Sequence, residues 1–178
     1  MAHVEQQMFF RHVKRQYPQF FSRTRVLDCG SLNVNGTVRD LFSRCEYIGV
    51  DIHYGLGVDV ISLVHELPFP LHSFDVVVSA EMLEHDEYWK ESLQKMYDLL
   101  RPRGLLAISM ATVGRPEHGT TRTDGQKWGT SPTYYRNILQ NDIQALLDTT
   151  MPLVEPQIIH NRMSHDLYVY GLKGDVLQ

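Results

Sequence analysis

The sequence predicts an α/β fold: a doubly wound, mostly parallel sheet that ends in a C-terminal antiparallel hairpin. Three observations support this. Runs such as Phe74-Asp75-Val76-Val77-Val78-Ser79 and Leu105-Leu106-Ala107-Ile108-Ser109-Met110 lack the strict alternation of a half-exposed strand and read as strands buried on both faces. Segments with helical periodicity lie between such runs. Turn residues, among them Gly30, Gly36, Pro102 and Gly104, separate one element from the next.

Each element follows from its own pattern. Val4, Met8, Phe9, Val13 and Tyr17 recur at helical spacing and predict a helix within residues 1–22. Arg25-Val26-Leu27-Asp28-Cys29 reads as the first strand, residues 36–42 as the start of a short helix, and Glu46-Tyr47-Ile48-Gly49-Val50-Asp51 as the second strand. A short third strand is expected within 58–62, and the run from Phe74 supplies a fourth. Trp89, Leu93, Met96, Tyr97 and Leu100 trace one helical face that Pro102 and Gly104 close. After the strand from Leu105, residues 112–132 form a polar loop rich in Gly and Thr. Tyr135, Leu139, Ile143 and Leu146 mark a late helix, and two strands near 153–160 and 166–173 pair as a hairpin. The expected organisation is one domain over 1–178, with a cofactor-binding core at 24–111, an acceptor loop at 112–132, and a helix and hairpin over 133–178.

Composition narrows the function classes. The chain has 178 residues, 43% hydrophobic and 21% charged, which is ordinary for a globular domain of this size. Lys plus Arg number 17 against 21 Asp plus Glu, so the net charge is −4 and a surface coated with phosphate-binding charge is excluded. The first 25 residues run against this balance, with Arg11, Lys14, Arg15, Arg23 and Arg25 facing only Glu5. That segment reads as a solvated helix face or as a patch for an anionic partner. No apolar run approaches a membrane span, and the N-terminal residues lack the apolar core of a secretory signal, so a cytoplasmic chain is expected. Two cysteines, Cys29 and Cys45, are too few for a disulfide framework.

In a doubly wound sheet, ligands bind beyond the carboxyl ends of the strands. Here the residues just after those ends are Asp28-Cys29-Gly30-Ser31-Leu32-Asn33-Val34-Asn35-Gly36, Asp51 and the segment after Ser79. Glycines let a ligand approach the backbone, and Asp51 ends the second strand, where an acid accepts hydrogen bonds from ribose hydroxyls in Rossmann-like folds. The turn lacks G-x-G-x-x-G, and Asp28 stands where a pyrophosphate would be repelled but an ammonium welcomed. An adenosine ligand carrying an amino acid is therefore favoured over a nicotinamide dinucleotide.

Taken in order, Val26-Leu27-Asp28-Cys29-Gly30-Ser31, Gly49-Val50-Asp51-Ile52, Glu66-Leu67-Pro68-Phe69-Pro70, Phe74 through Glu81-Met82-Leu83-Glu84-His85, and Leu100-Arg101-Pro102-Arg103-Gly104 resemble the motif series of class I S-adenosylmethionine-dependent methyltransferases of the small methyltransferase-domain type. The resemblance covers residues 24–111. It implies that Asp28, Gly30, Ser31, Asn35 and Gly36 receive the amino-acid end of the cofactor. By the same resemblance Asp51 holds the ribose, Ile52 packs on adenine, and Ser79, Ala80 and Glu81 line the methionine arm. The chain departs from the family pattern in the loop, where Ser31, Asn33 and Asn35 spread the glycines apart. It departs again at Leu63, where an acid commonly meets the adenine amino group; the backbone N–H of Val64 is the expected substitute.

On the acceptor side, His118 in the 112–132 loop is the candidate general base, because imidazole titrates near neutrality, and Glu84 is the second candidate. Glu84 and His85 are expected to hold the turn after the fourth strand and face the pocket. A zinc helix of the H-x-x-E-H kind needs a histidine at position 81, where glutamate stands, so no metal is expected. Tyr134 and Tyr135 are expected to anchor the late helix, or one of them to face the acceptor. The expected activity is methyl transfer from S-adenosyl-L-methionine, with S-adenosyl-L-homocysteine as product, to a small-molecule or sugar acceptor. A nucleic-acid acceptor is kept open by the basic N-terminus. A non-catalytic, methyltransferase-like binding protein and a nicotinamide-dependent oxidoreductase are the alternatives.

Overall fold

In a computed structural model, residues 4–123 and 133–175 are described. Seven strands form one sheet in the order β3-β2-β1-β4-β5-β7-β6. They are β1 (Arg25–Cys29), β2 (Glu46–Asp51), β3 (Val60–Ile61), β4 (Phe74–Ala80), β5 (Leu100–Ala111), β6 (Leu153–Asn161) and β7 (Asp166–Lys173). Pairing is parallel from β3 through β5, whereas β7 runs antiparallel to both β5 and β6. The fold is the Rossmann-like, mostly parallel sheet with a C-terminal antiparallel hairpin that the strand pattern predicts.

Helices cover both faces, as a parallel sheet requires. On one side α2 (Trp89–Leu99) and α3 (Gln140–Thr149) bury Leu93, Met96, Ile143 and Leu147 against strand residues such as Val77, Leu106 and Ile108. On the other side α1 (Val4–Gln16) and the 3-10 turn Pro18–Phe21 pack Phe9, Phe10, Val13 and Phe21 on Val76, Val78 and Leu105. Phe9 stacks on Tyr168 of β7 with ring centroids 4.6 Å apart, which ties the first element to the last strand.

Several expectations are corrected. The buried face of α1 is Gln6, Phe9, Phe10 and Val13, whereas Val4 and Met8 are exposed. The helix expected over 36–42 is reduced to one 3-10 turn, Arg39–Leu41. The loop after β1 consumes most of the short connection to β2, and too few residues remain for an α-helix. β5 begins at Leu100, where the α2 face was expected to continue, because Leu100 pairs with Phe74 before a register shift. Tyr135 precedes α3 and packs on His85 and His118 instead.

Both edges of the sheet are irregular. β3 contributes only two residues. β6 carries Pro156 in mid-strand, Glu155 at φ 48°, and a register shift between Val154 and Gln157. Within the described residues no helix is long and apolar enough to cross a membrane.

Candidate functional site

A cleft of about 230 Å³ opens beyond the carboxyl ends of β1, β2 and β4. The sheet places it there because β1 sits between β2 and β4, and the loops that follow diverge. The turn after β1 forms its floor. Gly30 and Ser31 both donate backbone N–H bonds to Val50 O, at 2.8 and 3.0 Å, which folds the turn back onto β2. Gly30 adopts φ +82°, and a Cβ there would lie 2.5 Å from Met82 Cβ, so only glycine fits.

Asp28 is 3% exposed and lines the cleft. Tyr47 Oη donates to its Oδ2 at 2.8 Å, while Oδ1 has no hydrogen-bond partner among the described residues. Burial raises its pKa to about 7, against the lowering effect of the Tyr47 hydrogen bond. Arg39, which faces the Tyr47 ring at 4.5 Å and pairs with Asp59, adds a distant positive charge. An ammonium group entering the cleft has a ready acceptor in Oδ1.

Asp51 is oriented by main chain: Leu32 N–H donates to Oδ2 at 3.2 Å and His53 N–H to Oδ1 at 3.1 Å. Its carboxyl is shifted upward by burial, partly offset by those bonds. Ile52 and Leu63, both partly exposed, present apolar surface to the same cleft. Ser31, Asn35, Gly36, Ala80 and Glu81 also stand at its wall.

Three expected residues are not at that wall. Ser79 is fully buried and spends its hydroxyl on Cys29 O at 2.8 Å. Val64 packs into the core, leaving Leu63 at the surface of the cleft. Glu84 is fully buried behind His85, in the 3-10 turn Leu83–His85. Conversely Gln6 reaches the cleft from α1, 0% exposed, donating through Nε2 to Ser109 Oγ at 3.1 Å. A lone glutamine in a helix gave no signal for this; its register with Phe9, Phe10 and Val13 is the one clue.

At one end of the cleft, two histidines and a tyrosine meet. The rings of His85, His118 and Tyr135 stand 5.1 to 5.4 Å apart in edge-on or inclined pairs. His118 Nδ1 lies 3.1 Å from Pro116 O, which accepts from it. Nε2 lies 3.9 Å from Glu84 Oε1. Burial, helped by His118, lowers the His85 pKa to about 3, and burial raises that of Glu84. Ligand atoms of Glu84, His85 and His118 all lie within 4.8 Å of one another. Local spacing could not reveal this cluster, because His118 arrives from a distant loop. Arg115 anchors that loop through Ser164 O at 2.6 Å and the buried Asp166 at 3.3 Å. The expected acceptor loop is described only to residue 123, since 124–132 lie outside the described residues.

The basic N-terminal segment is partly absorbed by the fold. Lys14 donates to Leu41 O, and Arg25 pairs with Glu46 at 3.0 Å while facing the Phe74 ring.

Residues 27–108 match the family model described as a methyltransferase domain. A curated relative, the Fusarielin synthase FSL1 of Gibberella zeae, is 29% identical over 98 residues, covering 48% of this chain and 4% of that protein. The chain thus spans only a small fraction of that relative. Among solved structures, the Burkholderia thailandensis 1,6-didemethyltoxoflavin-N1-methyltransferase, bound to 1,6-didemethyltoxoflavin and S-adenosylhomocysteine, superposes with a TM-score of 0.69. It shares 18% identity, with 97% of this chain and 79% of that one covered. The [4+2]-cyclase SpnF has the same fold, with a TM-score of 0.67, 13% identity, and 96% and 82% coverage. With the motif series in register on this sheet, residues 27–108 are similar to a methyltransferase domain, and the chain has the Rossmann-like fold of S-adenosylmethionine-dependent methyltransferases.

Proposed function

We propose that this protein transfers a methyl group from S-adenosyl-L-methionine to a small-molecule or sugar acceptor. The observation that carries the reading is the pair of acids at one cleft: Asp28, whose buried Oδ1 has no partner among the described residues, and Asp51, fixed by two backbone N–H groups. Asp28 would accept from the cofactor ammonium and Asp51 from its ribose hydroxyls, with Ile52 and Leu63 offering apolar surface to adenine. The sulfonium supplies a methyl group that is already activated. The protein's task is to hold the acceptor in line with it and exclude water.

A small acceptor is favoured by the modest size of the cleft, about 230 Å³, which Gln6 of α1, His118 and Gly119 also line. The histidine cluster at one end is the acceptor side, with His118 at the cleft wall as the group that activates the acceptor and the buried Glu84, 3.9 Å from its Nε2, supporting it. The second reading, binding or rearrangement chemistry without methyl transfer, is favoured by the likeness to a cyclase of the same fold.

Titration calorimetry with S-adenosylmethionine, S-adenosylhomocysteine and, as control, NADH tests the proposal on wild type and Asp51→Ala. Saturable binding of both adenosyl ligands, weakened at least tenfold by the substitution and absent for NADH, supports it. Folded wild type that binds neither adenosyl ligand overturns it. Binding without turnover across a panel of hydroxyl, amine and sugar acceptors would favour the second reading.

A further inference from the structure

We propose that Tyr47 is a positioning residue for the cofactor: by donating to Asp28 Oδ2 it leaves Oδ1 to the cleft and lets Asp28 exchange its proton for the cofactor's ammonium. The proposal rests on the methyl-transfer reading for the identity of that ammonium.

Strand register brings the two side chains together. Asp28 lies across from Gly49 on β2 and from Val78 on β4, and Val26 lies across from Tyr47. Residues two apart on a strand share a face, so Tyr47 stands diagonally beside Asp28. Gly49 offers no side chain there, and a Cβ on it would run into Gly57 O and Ser31 Oγ. The hydroxyl that meets Asp28 therefore comes from Tyr47, at 2.8 Å.

That hydroxyl is held from behind. The Arg39 guanidinium sits 4.5 Å from the centre of the Tyr47 ring, and the Phe42 ring meets it edge-on at 5.3 Å. Arg39 in turn donates to Gly57 O at 3.3 Å and pairs with Asp59. The Asp59 carboxylate accepts from Gly49 N–H at 2.7 Å, so the chain of contacts returns to the residue opposite Asp28. Burial, with the Asp28 charge beside it, pushes the Tyr47 hydroxyl well above its usual range, and it remains a donor.

Asp28 needs such a partner. Burial favours its neutral form, and the charges of Asp51 and Asp59 add to that, whereas Tyr47 and Arg39 oppose it and leave the carboxyl near pKa 7. The neighbouring Cys29 thiol is held neutral by burial, and Val78 carries no charge. When an ammonium enters the cleft, the Asp28 proton passes to water and Oδ1 accepts from the ammonium instead. Ligand binding thus competes with a proton, and the Tyr47 hydrogen bond loosens that proton.

Tyr47→Phe keeps the ring and removes the donor. In ligand-free protein the Asp28 carboxyl is followed by ¹³C NMR, its signal identified by its loss in Asp28→Asn. Its titration midpoint is expected to rise by about one pH unit in Tyr47→Phe. Calorimetry with S-adenosylhomocysteine at pH 6, 7 and 8 then compares the two proteins. The ratio of wild-type to variant affinity is expected to fall from about tenfold at pH 6 to about twofold at pH 8, because only the ionised carboxylate accepts the ammonium. Titration of the ligand's own amine affects both proteins equally and cancels in the ratio. An unshifted midpoint, or a loss of affinity equal at every pH, overturns the proposal. Arg39→Gln, at a half-exposed position, should move the midpoint the same way by a smaller amount, and it carries the test if Tyr47→Phe does not fold. Wild type that binds the ligand while the variants leave the midpoint in place removes this proposal alone. Folded wild type that binds neither adenosyl ligand removes the methyl-transfer reading and this proposal with it.

Discussion

Asp28→Asn separates what the cleft needs from what the fold needs. In the folded protein burial raises the Asp28 pKa to about 7, against 3.8 for the free side chain. By pH 5 the unfolded carboxyl has lost its proton, while the folded one retains it until about pH 7. The native state therefore binds more protons across this window, and stability falls as pH rises through it. The cost reaches about 4 kcal/mol by pH 8 and is roughly 1–2 kcal/mol at pH 5. Asparagine does not titrate and still accepts from Tyr47 through its carbonyl, so the variant gains on wild type by about 2–3 kcal/mol between pH 5 and pH 8. Urea unfolding of both proteins at half-unit pH steps measures this gain. Saturating S-adenosylhomocysteine should stabilise wild type increasingly from pH 5 to pH 7, because an ammonium favours the ionised carboxylate, and that increase should vanish in the variant. Stability curves for the two proteins that run parallel from pH 5 to pH 8 would refute the reasoning.

Other expected outcomes follow from single contacts. Gly30→Ala sets a Cβ 2.5 Å from Met82 Cβ at a left-handed backbone position, so a loss of about 2–3 kcal/mol in chemical denaturation should accompany loss of adenosyl binding. Phe10→Ala empties a fully buried site between α1 and the sheet and should cost about 3–5 kcal/mol by the same assay, with the cofactor affinity of the surviving folded fraction intact. Arg115→Ala withdraws a cation from the buried Asp166, and a loss of about 2–3 kcal/mol should appear together with faster amide exchange in residues 112–123.

The fold was legible in the sequence wherever local pattern and tertiary environment agree. Buried parallel strands such as Val76-Val77-Val78 have to be apolar throughout, and the turn after β1 has to contain a glycine where Met82 presses on it. Asp28 and Asp51 were readable because strand ends fix their places. The N-terminal helix was legible, and Phe9 and Val13 do face the core, but the edge of its buried face was not, since Val4 and Met8 are apolar but exposed and Gln6 is polar but buried. Hydrophobicity alone cannot rank a glutamine that finds Ser109 above a valine that finds only water. The environments of Ser79 and Val64 were not legible: each sits at the expected place in its motif, but the Ser79 hydroxyl bonds to β1 and the Val64 side chain packs in the core, both of which depend on neighbours distant in sequence. The cluster around Glu84 was beyond any local reading, because Tyr135 and His118 come to it from loops on either side of residues 124–132.

The interrupted outer strands have a consequence for how these molecules meet one another. A sheet that ends in a long straight strand offers a neighbour a row of free donors and acceptors on which to extend the ladder. Here one border is two residues long, and the other loses a donor at Pro156 and bends at Glu155. Val154 and Ile159 remain exposed on that border strand, yet a second strand laid beside it would fall out of step within a few residues. Crowded copies of this chain are thereby denied the continuous hydrogen-bonded seam from which fibrous assemblies grow.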